Sequence, residues 1–231
     1  MEEEQKKIGI VETWMMKKKH AAVYAAATRH PFIQSIRDGS VDLSAFKRWL
    51  GQDYVFVRSF VPFVANLLVK ACKESSDDDD MEVILGGLAS LNDEISWFKN
   101  EALKWNVSLN EVVSYQANVR YCNFLERMIG PEVDFAVAMT VFWVIETVYQ
   151  ESFGYCLEEG SRTPEELKEA CGRWGNAGFG EYCRRLREIA NRLLEKASAN
   201  VVLEAEMTLL EVLEHEVQFW NMSQGEPTSL A

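Results

Sequence analysis

Proline and glycine are scarce in this sequence, at five and thirteen of 231 residues, and histidine is scarcer still at three. Few helix breakers means little punctuation between elements. The three histidines, His20, His30 and His215, each lack a Glu three residues before them, so the paired Glu-x-x-His motifs of a carboxylate-bridged di-iron bundle are absent. No Cys/His cluster has zinc spacing. Gly86-Gly87 matches neither GxGxxG nor a P-loop, and no nucleotide cofactor or metal is expected. Basic residues are outnumbered, 24 Lys and Arg against 36 Asp and Glu, for a net charge of -12. Phosphate binding needs clustered cations, so nucleic acid and anionic membrane surfaces are excluded as partners; Lys17-Lys18-Lys19 is too short a run and reads as a solvated helix face. The start, Met-Glu-Glu-Glu, lacks the basic and apolar regions of a signal peptide. No apolar stretch of about 18 residues is apparent, so no membrane span is expected. The five cysteines are odd in number and form no CxxC. Free thiols in a reducing, cytoplasmic setting are expected, with a Cys171–Cys183 disulfide the less favoured alternative.

What is present is helical periodicity. Hydrophobic residues make up 48 % and aromatics 11 % of the chain, enough for one sizeable core. Apolar spacing predicts helices at 8–28, 42–71, 81–104, 109–128, 131–159, 164–174, 178–197 and 199–222. Pro62 should kink the second just after Phe60. Ser108 with Glu111, and Thr163-Pro164-Glu165-Glu166, read as capping boxes. The stretch from Glu74 to Asp80 reads as a solvated loop. No strand pattern, repeat or linker stands out. The expected architecture is all-α, one helical domain over 1–222 with a flexible tail at 223–231.

Three carboxylates then stand out. Asp53 lies among Trp49, Leu50, Phe56 and Val57, Glu146 among Phe142, Trp143 and Tyr149, and Glu216 among Val212, Leu213, Phe219 and Trp220. Neighbours three or four positions away share a helical face. An ionised group on an apolar stripe costs several kcal/mol unless paired. Each alone could be a structural ion pair; three together describe a polar pocket in an aromatic core, the makings of a small-molecule site. Desolvation should raise the pKa of Glu216, suiting a group that takes and returns a proton near neutral pH. Glu94, between Leu91 and Trp97-Phe98, reads as organising the core. No Cys has an obvious activating base, so carboxylate chemistry is favoured over thiol chemistry.

Several of these residues resemble the signatures of the TenA/thiaminase II family. His30-Pro31-Phe32, Ile36, Asp38-Gly39, Phe46, Trp49-Leu50 and Gln52-Asp53-Tyr54 are similar to its N-terminal signature. Tyr121-Cys122-Asn123-Phe124-Leu125 resembles its mid-chain tyrosine motif, and Glu216 through Met222 its C-terminal catalytic motif. The resemblance covers about residues 10–222. It implies a haem-oxygenase-like helical bundle, a homodimer or larger assembly, and hydrolysis of aminopyrimidines in thiamin salvage. It also implies that Asp53 grips the pyrimidine, Tyr121 lines the pocket and Glu216 moves protons. One departure matters: Val141 occupies the position of the family's nucleophilic Cys, Ile145 that of a pocket Tyr, and Phe56 that of another Tyr. The chain therefore resembles the Cys-lacking, plant-type branch, linked to hydrolysis of the aminomethyl pyrimidine and to deformylation of its N-formyl precursor.

Without the Cys, Glu216 and Glu146 are the expected catalytic pair, acting as general base and general acid on a water. Asp53, Tyr121, Glu146, Trp143, Phe56 and Phe219 are the expected substrate-binding residues, the aromatics stacking on the flat ring. Two alternatives are a pyrimidine-binding protein that lost catalysis with the Cys, and a haem protein on the same fold with His20 as axial ligand.

Overall fold

The computed structural model describes residues 9–16, 20–75 and 77–225. Within them lie ten α-helices and no strand: α1 (Ile10–Met16), α2 (Ala21–Thr28), α3 (Pro31–Asp38), α4 (Leu43–Glu74), α5 (Asp78–Trp105), α6 (Gln116–Met128), α7 (Phe135–Tyr155), α8 (Glu165–Gly175), α9 (Ala177–Lys196) and α10 (Ala199–Asn221). The all-α class expected from periodicity is what forms. Helix α7 is buried along nearly its whole length and packs against α10, α9, α8, α4, α2 and α3. The longest, α4, packs on α5, α6 and α7.

Short-range chemistry sets the helix starts. Asp42, Asp134 and Asn176 each accept a backbone N–H of the first turn, at 2.8, 2.8 and 2.9 Å, satisfying donors that the helix cannot. Helix α3 lies in a stretch where no helix was expected. Its signal is local: His30 Nδ1 accepts the Phe32 N–H at 3.1 Å with Pro31 at the first helical position, and Gly39 ends it at φ 73°.

Several expectations need correcting. Ser108 makes no capping bond and starts only a 3-10 turn, Leu109–Glu111, so α6 begins later, at Gln116. Thr163 caps nothing, because its hydroxyl donates to the Cys156 carbonyl at 2.6 Å. The acidic run is the start of α5 rather than a loop. Asp77 caps it through the Asp79 N–H at 3.1 Å, acidic groups suit a helix N-terminus, and Asp80 is buried against Arg192 and the Ser75 hydroxyl. Helix α4 runs on through Pro62, where only the Arg58 carbonyl loses a partner. A window of 18 residues in α4 reaches a mean hydropathy of 1.6, so an apolar stretch of spanning length does occur. It is a core helix with Gln52, Asp53 and Lys70 buried along it. The single helix expected at 8–28 is described as α1 and α2; Lys17–Lys19 lie outside the described residues. At the other end Met222 and Ser223 are buried in a 3-10 turn, and residues 226–231 lie outside the description. All five cysteines are free, so Cys171 and Cys183 are not bridged.

Candidate active site

Seven helices send side chains into one cluster in the aromatic core. Helix α4 supplies Asp53, α5 Glu94, α6 Tyr121, α7 Glu146 and Tyr149, α8 Trp174, α9 Tyr182 and α10 Glu216. Asp53 and Glu216 are buried, 3 % and 0 % exposed. Three of the four carboxylates are held by a tyrosine: Tyr121 donates to Glu216 Oε1 at 2.6 Å, Tyr149 to Asp53 Oδ1 at 2.9 Å and Tyr182 to Glu146 Oε1 at 3.4 Å. In Asp53 and Glu216 the second oxygen, Oδ2 and Oε2, is buried without a partner. Unbonded acceptors are rare in a protein interior and costly to keep. A ligand with N–H or O–H groups would satisfy both.

These groups are near enough to act on one another electrostatically. Burial raises Asp53 well above its ordinary value, the Glu94 charge adds to the rise, and the Tyr149 hydroxyl opposes it. Burial and the Glu94 charge likewise raise Glu146, against Tyr182. Glu216 is pushed up to about 8 by burial, partly offset by the Tyr121 hydroxyl. Glu94 rises to about 7 by burial, opposed by Arg173. Glu94 and Glu216 can therefore exchange protons near neutral pH.

The aromatic walls follow. Phe56 packs on Tyr121 and Phe219 with ring centroids 4.7 and 5.4 Å apart. His215 stacks on the outer face of Tyr121 at 4.8 Å. Tyr149 meets Trp220 at 5.2 Å and Trp174 at 5.6 Å. Asp53, Glu146, Tyr121, Phe56, Phe219 and Glu216, all singled out from sequence, thus come together. Trp143 does not join them. It lines a separate groove of about 120 Å³ with Tyr24, Thr147, Glu151, Cys183 and Arg187. Glu94 does more than organise the core, since it lines an open cleft and keeps 16 % of its side chain exposed. Tyr149, Tyr182, Arg173 and Trp174 were not foreseen as site residues, because what places them is contact between distant helices. Burial raises the Cys122 and Cys183 thiols rather than activating them, and at the lost nucleophile position Val141 is buried. Among the described residues no group of three His, Cys, Asp or Glu is arranged to hold a metal ion.

The remaining motif residues act on the frame. Gln52 accepts the Tyr115 N–H at 3.0 Å and donates to the Val113 carbonyl at 2.8 Å, tying the approach to α6 onto α4. His30 Nε2 meets Asn221 Oδ1 at 3.1 Å, and the Trp220 indole donates to the Ala27 carbonyl at 2.9 Å. The first and last motifs therefore lock together and fix where α10 presents Glu216. His20, the residue considered as a haem ligand, has its Nε2 engaged by Glu206 at 2.8 Å. It is a part-buried partner of α10.

The description "TENA/THI-4/PQQC family" matches residues 17–226. The chain belongs to that family. This TenA-type assignment carries thiamin salvage and hydrolase chemistry at the level of the family. A relative from Glycine max, described as "Probable bifunctional TENA-E protein", is 63 % identical over 222 residues, 96 % of each chain. Solved TenA homologues share the fold. One from Pyrococcus furiosus superposes with a TM-score of 0.82 at 24 % identity, over 92 % of this chain and 98 % of that one. One from P. horikoshii gives 0.75 at 14 % identity, over 94 % and 98 %.

Proposed function

We propose that this TenA-family chain hydrolyses the C–N bonds of 5-aminomethyl pyrimidines without a cysteine nucleophile. Its substrates are the N-formyl-aminomethyl pyrimidine, the aminomethyl pyrimidine (4-amino-5-aminomethyl-2-methylpyrimidine), or both in turn, and the end product is the hydroxymethyl pyrimidine. The observation that carries this is the pair of half-satisfied carboxyls. Asp53 and Glu216 each spend one oxygen on a tyrosine and keep the other buried and free. The bifunctional description of the soybean relative supports two substrates, and the free cysteines fit a reducing, cytoplasmic setting.

Asp53 anchors the ring. Burial and neighbouring charge favour its neutral form, which presents an O–H donor beside an acceptor. That pattern pairs with a ring nitrogen next to an exocyclic amino group. The Phe56 and Phe219 rings supply flat apolar walls.

Glu216 and Glu146 divide the proton work. With the formyl substrate, ionised Glu216 takes a proton from water as its oxygen bonds to the formyl carbon. Neutral Glu146 protonates the nitrogen as the C–N bond breaks, releasing formate and the amine. With the amine, electron push from the 4-amino group expels ammonia from the methylene after Glu216 has protonated the nitrogen. Ionised Glu216 then removes a proton from the water that adds to the methylene, giving the alcohol.

The test is chromatographic product analysis with both pyrimidines, on wild type and Glu216→Gln, alongside calorimetric binding. Turnover in wild type that is lost in Glu216→Gln, with pyrimidine binding retained, supports the assignment. Tight binding by both proteins without turnover of either compound would leave a pyrimidine-binding protein.

A further inference from the structure

An open cleft of about 430 Å³ lies between α5, α8 and the start of α9. Glu94 and Trp174 line it and also belong to the carboxylate cluster: Glu94 acts electrostatically on Asp53 and Glu146, and Trp174 packs on Tyr149. Phe179, a third wall, packs at 5.6 Å on Tyr182, the residue that holds Glu146. Asp53 and Glu216 are buried, whereas Glu146 and Glu94 are part-exposed. Through Glu94 and Trp174 the cleft is the solvent-facing mouth of the cluster.

Arg173 stands in this mouth. Its guanidinium lies 5.3 Å from the Trp97 ring and 5.7 Å from that of Trp174, and its Nη2 is 3.9 Å from Glu94 Oε2. Its Nε is buried without an acceptor, although burying an unmatched N–H is costly. The three site tyrosine hydroxyls already donate to carboxylates, and the indole N–H of Trp49, also unbonded, adjoins the Tyr149 hydroxyl. Resting on the substrate assignment above, we propose that Arg173 is a specificity-determining residue that receives the carbonyl oxygen of an N-acyl substituent in this cleft. A guanidinium held between two indoles offers a fixed donor to a carbonyl and nothing to an ammonium. The acyl substrate gains a charge-assisted bond there that the free amine cannot make.

The experiment measures kcat/KM and calorimetric Kd for the N-formyl-aminomethyl and aminomethyl pyrimidines on wild type, Arg173→Gln and Arg173→Lys, with thermal melts to confirm folding. The lysine variant keeps the positive charge beside Glu94 but loses the planar Nε donor. Both variants are expected to lose on the order of 10- to 100-fold in kcat/KM and affinity for the formyl compound. Any loss on the amine, from the changed charge beside Glu94, should be smaller, so that the formyl-to-amine ratio of kcat/KM falls about 10-fold in both variants. Equal losses on both compounds, or no loss on the formyl compound, would overturn the proposal. If wild type turns over neither compound, the catalytic assignment fails on its own, and the Kd ratio between the two compounds still decides the role of Arg173.

Discussion

At the residue scale, the account rests on carboxyl groups whose protons are held against their ordinary tendency. Glu216 has a folded pKa of about 8 against an ordinary 4.5. The folded state therefore holds its proton more tightly than the unfolded chain, and the stability that this gives is lost as pH rises from about 4.5 toward 8. The cost of ionising it in place is on the order of 3 kcal/mol near pH 7. Glu216→Gln removes that cost while Tyr121 keeps an oxygen to bond. The melting temperature of the variant minus that of wild type should become more positive from pH 5 to pH 8, and a difference independent of pH would show that Glu216 ionises freely. Asp53, Glu146 and Glu216 were legible in the sequence because a charge on an apolar helical face is visible from neighbours three and four places away. Tyr149 and Tyr182 carry no such local sign. Their roles arise from bonds across 96 and 36 residues of chain.

At the scale of elements, two adjacent glycines in α5 separate backbone effects from site effects. Gly86 has open space where a Cβ would go, whereas a Cβ on Gly87 would overlap the Tyr182 hydroxyl that holds Glu146. Both sit inside a helix, where Ala exceeds Gly by about 1 kcal/mol in propensity. Gly86→Ala should raise stability by up to about 1 kcal/mol in urea titrations, with activity unchanged. Gly87→Ala should gain little or nothing and cut kcat/KM by about 10-fold through a displaced acid; equal behaviour of the two would contradict the Tyr182–Glu146 contact. The end of α3 makes a stricter demand. Gly39 has φ 73°, and a Cβ there would lie 2.6 Å from the Arg162 carbonyl oxygen. Gly39→Ala should cost about 1–3 kcal/mol in the same titrations. Long amphipathic helices such as α9 and α10 were readable from period alone. Their starts were not always so, because Ser108 and Thr163 have capping chemistry but spend it elsewhere or not at all, and only tertiary contacts decide that.

At the scale of the whole molecule, one aromatic bundle is built around several raised carboxyls, and its stability should depend on pH accordingly. Glu94 at about 7 and Glu216 at about 8 both favour the folded state less as pH rises. Burial lowers His30 and His215 below their ordinary 6.5, so they act in the opposite sense, but only below that pH. The melting temperature of the free protein should therefore fall between about pH 6.5 and 8, and saturating pyrimidine should reduce the fall by satisfying the free oxygens. The most direct test of carboxylate-driven hydrolysis is the pH profile of kcat/KM for the N-formyl pyrimidine, whose amide does not titrate in this range, in wild type and Tyr121→Phe. Tyr121 lowers the pKa of Glu216 by donating to its ionised form. Wild type should rise through a limb near pH 8, and Tyr121→Phe should move that limb to higher pH with a lower rate at neutrality. A limb that stays in place in Tyr121→Phe, or one abolished by thiol alkylation, would contradict Glu216 as the base.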